Sequence, residues 1–112
     1  MDKLIKYRKI AHSVITEIAQ KLISSNVTES ILSIDENRGQ YLVLSDSWDG
    51  IERSYGPLVH IEVKEDAKVW LRYDGTDLEI GQELLDKGIS TKDLVLAFHS
   101  PQMRQYTGFA VA

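Results

Sequence analysis

"LVHIEVKEDAKVWLRY", residues 58–73, alternates apolar and polar side chains on either side of an acidic break. Alternation with period two is the mark of a strand with one covered face, so this stretch predicts a hairpin. Its register decides which face is covered. A turn of Glu65-Asp66 alone sets Val59, Ile61 and Val63 on one face with Arg72, Trp70 and Lys68. A turn of Glu65-Asp66-Ala67 instead pairs Val63 with Val69 and Ile61 with Leu71. A one-residue slip moves every side chain to the other face, so the apolar set selects the longer turn. His60, Glu62, Lys64, Trp70 and Arg72 are then left together on the opposite face.

Working upstream, Ile51 to Tyr55 reads as extended until Gly56-Pro57, where proline, lacking an N–H, is expected to interrupt the ladder. Asp49-Gly50 is the strongest short-range hairpin signal, and Tyr41 to Trp48 precedes it. Ser30 to Ile34 and the turn set Asp35 to Gly39 come before that. The expectation is an antiparallel meander of about four strands. In front of it, Leu4, Tyr7, Ala11, Val14, Ile15, Ile18 and Leu22 recur at steps of three and four, which makes Lys3 to Ser24 an amphipathic helix.

Downstream, Thr76-Asp77-Leu78-Glu79 has the form of a capping box, with Thr76 as N-cap, and Gly88 marks the end of a second helix. Leu94 to Phe98 is apolar on both parities, as a strand covered on both faces is. Ser100-Pro101 opens a short helical turn to about Tyr106, with Ser100 as cap and Pro101 at the first helical position. The fold class is therefore α+β: an N-terminal helix, a meander, a second helix, then a buried strand and a short C-terminal helical turn. All 112 residues form one domain.

Composition narrows the function. The net charge is −4, against the clustered cations that phosphate-backbone binding needs. The local exception is Lys3, Lys6, Arg8 and Lys9 in the first turns of helix one, which read as a solvated helix face or, less favourably, as a DNA contact. There is no cysteine, which removes thiolate chemistry and fits a reducing cytoplasm. No apolar run is long enough to span a bilayer, and the first residues lack a secretory pattern.

No catalytic constellation stands out. His12, His60 and His99 have no metal-site spacing, and no glycine pattern suits a nucleotide, so no cofactor is expected. His99 and Ser100 are chain neighbours, and Ser100 is wanted as a cap. Glu62-Val63-Lys64 is half of a metal-dependent nuclease pattern, which needs a second carboxylate across the sheet, nominally Asp46 or Asp49. The bland reading is the polar face of a hairpin. Trp48, Trp70, Arg72, Tyr73, Arg104 and Tyr106, with Tyr55, are the residue types that dominate interface hot spots, and they form the candidate partner-binding set. An open meander must also pair, cover or charge its outer strands, which points to a homodimer.

"LVLAFHSPQMRQYTGFAVA", with "WDGIERSYGPLVHIEVK", "VWLRYDGTDLEIGQELLDKGIS" and "MDKLIKYRKI", resembles the XisI family nearly end to end. These are cyanobacterial proteins described as fdxN element excision controlling factors. The resemblance implies a part in a DNA rearrangement of differentiating heterocysts, in which a separate recombinase exchanges the strands. It also implies a companion, XisH, of nuclease-like character. It carries over no catalytic residue. The expectation is a non-enzymatic regulatory protein that binds an XisH-like companion.

Overall fold

The computed structural model describes residues 2–25, 29–76, 78–104 and 108–110. Helix α1 (Lys3–Ser25) leads into strands β1 (Glu29–Asp35), β2 (Gln40–Asp49), β3 (Glu52–Val63) and β4 (Val69–Asp74). Helix α2 (Ile80–Asp86), strand β5 (Leu94–Leu96) and the short helix α3 (Pro101–Arg104) follow. The five strands lie in sequence order, β1-β2-β3-β4-β5, in one sheet. The first four pair antiparallel, and β5 joins β4 in parallel because α2 carries the chain back across the sheet.

The β3–β4 hairpin has the register that the apolar pattern selects: Val63 opposite Val69 and Ile61 opposite Leu71. Its loop is Glu65-Asp66-Ala67, with the Ala67 backbone left-handed at φ 65° and its N–H donating to the Lys64 carbonyl at 2.9 Å. Arg72 is an extra residue in the ladder, since His60 lies opposite Tyr73. That bulge turns Tyr73 onto the face of His60.

Gly56-Pro57 does not divide the strand, contrary to expectation. Residues 52 to 63 run as one strand, with Pro57 opposite Leu44 and a bulge that leaves Leu58 unpaired between Pro57 and Val59. Proline is tolerated because β4 flanks β3 only from Val59 onward, so at Pro57 there is no second neighbour whose bond the missing N–H would forfeit.

The start of helix two also differs. The Thr76 hydroxyl donates to the Asp74 carboxylate at 2.7 Å and accepts from the Leu78 N–H at 3.3 Å, closing a turn ahead of the helix. Glu79 is the N-cap, left-handed at φ 54° and without a side-chain capping bond. Asp77 lies outside the described residues. The carboxylate two residues back captures Thr76 first, which the four-residue motif taken alone does not reveal. The other end is as expected: Ile89 N–H reaches Leu84 O and Gly88 N–H reaches Leu85 O, a Schellman pair.

One layer of core lies between α1 and a single sheet face. Tyr7, Val14, Ile15 and Ile18 of α1 meet Tyr41, Val43, Val59, Ile61, Val63, Val69 and Leu71, all buried. Burying side chains of this size stabilises by about 1.5–3 kcal/mol each. Ile80, Leu84, Ile89 and Leu94 extend the same cluster. Gly39 lets the β1–β2 turn touch β3: Val63 N–H donates to Gly39 O at 2.8 Å, and a Cβ at position 39 would collide with the Val63 carbonyl.

A buried carboxylate fastens the ends of this layer. Asp93, just before β5, accepts from the Tyr7 hydroxyl at 2.6 Å and from Lys3 Nζ at 3.0 Å, with Lys68 Nζ 3.6 Å away. Burial pushes its pKa up, but the hydrogen bonds from Tyr7 and Lys3 and the nearby lysine charges outweigh that, and the pKa is lowered.

Candidate docking face of the sheet

With α1 on one side, strand alternation sends Leu42, Leu44, Asp46, Trp48, Arg53, Tyr55, His60, Glu62, Trp70 and Arg72 to the other. The cross-strand partners confirm it, since Leu42 lies opposite His60, Asp46 opposite Tyr55, Trp48 opposite Arg53 and Glu62 opposite Trp70. This face carries two clusters.

The first is built on the Trp70 indole. Lys64 Nζ stands 4.2 Å from its ring centre, the Arg72 guanidinium 4.6 Å and the Arg104 guanidinium 5.3 Å. Cations gather there because the π face is negative. Arg72 places Nε and Nη2 on one Glu62 carboxylate oxygen at 2.9 and 2.7 Å. Burial raises the Glu62 pKa, but Arg72, Gln40 and Lys64 together hold it below the usual range. His60 lies beside them, bonded to Gln40 Oε1 at 2.7 Å, with its pKa lowered chiefly by burial. The C-terminal segment therefore supplies a partial cover: Arg104 reaches from α3 and also donates to the His99 and Ala97 carbonyls at 3.0 and 3.2 Å.

The second cluster sits on a projecting arm. Among the described residues, β1 accompanies β2 no further than Asp46, and β4 accompanies β3 only from Val59. Beyond those limits β2 and β3 continue as a two-stranded ribbon to the loop Gly50-Ile51. Asp49 pairs with Glu52, so the loop lies one residue later than the Asp-Gly signal suggested, with Gly50 at φ 62° in its first position. That is the place where a type II′ turn requires glycine. Arg53 binds both Asp46 carboxylate oxygens, at 3.0 and 2.8 Å, while lying 4.8 Å from the Tyr55 ring and 6.0 Å from Trp48. At the tip, Ile51 is 95% exposed and Trp48 66%. At the arm's base a notch of about 410 Å³ is lined by Ser45, Ser54, Tyr55, Pro57, Leu58 and Tyr73.

Of the predicted partner-binding residues, Trp70, Arg72 and Arg104 meet in one cluster, Trp48 lies on the arm, and Tyr73 lines the notch at its base. Tyr106 lies outside the described residues. Arg53 and Ile51 belong with them and were missed; an isoleucine beside Asp-Gly was the available signal, because turns rarely expose one.

The other candidate chemistry is not brought together. The Glu62 carboxylate is taken up by Arg72, and Lys64 lies over Trp70. Asp46 is held by Arg53 opposite Tyr55, whereas the β2 residue opposite Glu62 is Gln40. No cluster of three metal-ligating side chains occurs among the described residues. In helix one, Lys3 is committed to Asp93, which dilutes the basic group near the N-terminus. Among the described residues, no helix is long and apolar enough to cross a membrane.

The fold and face define an α+β sheet protein with one helix-covered face and one polar, aromatic face that the C-terminal segment covers in part. The XisI protein family model matches residues 1–111, and the chain belongs to that family. It is similar to the crystal structure of the fdxN element excision controlling factor XisI from Anabaena variabilis. That match has 36% identity and a TM-score of 0.87, covering 99% of this chain and 100% of the other. A XisI-like protein of the same organism matches with 32% identity and a TM-score of 0.87, covering 97% of this chain and 99% of its own. No curated protein matches the sequence.

Proposed function

We propose that this chain is a non-enzymatic accessory protein that works in the cytoplasm by docking another macromolecule against its open sheet face. The observation that carries the reading is the Trp70 cluster, where three cations and an indole form a partly buried patch. Arginine and tryptophan anchors of this kind dominate interface energetics. The companion is an XisH-like nuclease, and the process is control of site-specific DNA excision, as in the factor whose structure it resembles. A homodimer is the working unit.

The test is co-expression with an XisH-like nuclease. Arg72→Glu and Trp48→Ala are expected to abolish or sharply reduce co-purification while leaving the circular dichroism spectrum unchanged. Full retention of the companion by both variants refutes the reading. Magnesium-dependent DNA cleavage lost in Glu62→Ala would replace it with the enzyme alternative built on Glu62 and Lys64. Salt-sensitive retardation of a short duplex, lost on removing Lys6 and Lys9, would favour DNA contact through helix one.

A further inference from the structure

We infer that two copies of this chain join through the free edge of β3 on the projecting arm, each arm tip seating in the notch at the base of the other's arm. The inference rests on the homodimer reading and specifies its interface.

Among the described residues, β3 has no strand on its outer side from Glu52 to Pro57, while β4 ends at Asp74 opposite Val59 and Gly75 N–H closes on Leu58 O at 2.7 Å. The gap is therefore bounded, with bare strand on one side and the end of β4 beyond it. A two-stranded ribbon with such an edge is marginal alone and is a template for another strand. An antiparallel partner centred on Ser54 sets Glu52 opposite Gly56 and Arg53 opposite Tyr55 of the second copy. No like charges meet, and the guanidinium that already lies against its own Tyr55 gains a second ring on the same face.

The same register puts Ile51 of one copy opposite Pro57 of the other, where the shared ladder stops because proline has no N–H to donate, so this end of the seam is held by apolar contact alone. Leu58 and Tyr73 stand beside Pro57 in the notch. The most exposed large apolar side chain of the described residues thus meets the apolar wall at the arm's base. The two-fold repeats that contact, so the interface is isologous and closed. The other open edge is less suited: pairing β1 with itself about Leu32 opposes Glu29 to Asp35 twice. The second copy, rather than an unrelated strand, is the occupant because the tip and its seat lie on one chain at the spacing this register demands.

Light scattering over a dilution series and cysteine cross-linking test the arrangement, the chain having no cysteine of its own. The wild type is expected at twice the 12.7-kDa chain mass. Ile51→Asp, on an exposed turn, is expected to raise the dissociation constant by about tenfold or more with folding intact. Ser54→Cys is expected to form an intermolecular disulfide at least about tenfold faster than Leu32→Cys, since directly opposed positions bring the sulfurs within bonding reach. A monomeric wild type overturns the homodimer and the arm interface together. A wild-type dimer that Ile51→Asp leaves unweakened, or that cross-links faster through Leu32→Cys, keeps the homodimer and overturns the arm interface alone.

Discussion

The Arg104 guanidinium lies 5.3 Å from the centre of the Trp70 indole while donating to the carbonyls of His99 and Ala97. One side chain thus ties the turn after β5 to a tryptophan on the neighbouring strand. Arg104→Ala removes a cation–π contact and two backbone hydrogen bonds. The expected loss is about 1–2 kcal/mol of stability. Hydrogen exchange at the Ala97 and His99 amides should rise, and Trp70 fluorescence should shift to the red in a Trp48→Phe background. Unchanged exchange and emission would show that the segment is held by other means.

Asp93 is the carboxylate that closes α1 onto β5, through Tyr7 and Lys3. Its folded pKa lies below the ordinary 3.8 because those partners outweigh the opposing effect of burial. The folded state therefore binds fewer protons than the unfolded chain, so the stabilisation is present above the unfolded pKa. It fades as pH falls through 3.8 toward the lower folded value. Asp93→Asn should cost about 2 kcal/mol near neutrality. The variant should also flatten the acid limb of a stability–pH curve. An acid limb as steep as that of the wild type would remove Asp93 from this role.

His60 carries a lowered pKa, chiefly from burial, with the Glu62 charge opposing it and the smaller influence of Arg72 adding to it. The unfolded chain takes up its proton near the ordinary 6.5, before the folded chain does. Stability attributable to His60 is consequently complete above 6.5 and is lost as pH falls from there toward the folded value. Chemical denaturation on both sides of that pH, in the wild type and in His60→Gln, should show a loss on acidification in the wild type alone. Equal losses would show that the histidine makes no contribution.

Glu79 holds a left-handed backbone at the start of α2 and receives no capping bond for it. Left-handed geometry costs an ordinary L-residue about 1–2 kcal/mol, and asparagine less. The side chain is exposed, so replacing it disturbs no packing. Glu79→Asn should raise stability by about 0.5–1 kcal/mol, read as a shift in the urea midpoint at constant slope. A lowered midpoint would mean that the glutamate side chain contributes more than its backbone costs.

The apolar spacing of α1 and the alternation of Leu58 to Tyr73 were legible because each reflects a local period imposed by burial, whereas the strand expected over Leu94 to Phe98 ends at Leu96 and leaves Phe98 exposed in the turn that follows. The same alternation separated Trp70 and Arg72 from the core before any contact was known. Gly56-Pro57 misled because the harm done by proline depends on whether a second strand lies alongside, a property of the neighbours and not of the residue. Thr76 misled for a similar reason, since the Asp74 carboxylate competes for the hydroxyl that the capping motif assigns to the helix.

The sequence by itself determined the first helix, the hairpin register and the family, all of which rest on short-range patterns or on long strings of residue types. Tertiary structure alone decided that Arg104 joins Trp70, that Lys3 and Tyr7 serve a buried Asp93, and that β2 and β3 outrun their neighbours to leave a bare arm. Those outcomes depend on where distant segments end in space. Periodicity constrains the direction of a side chain, but only chain packing sets what it meets.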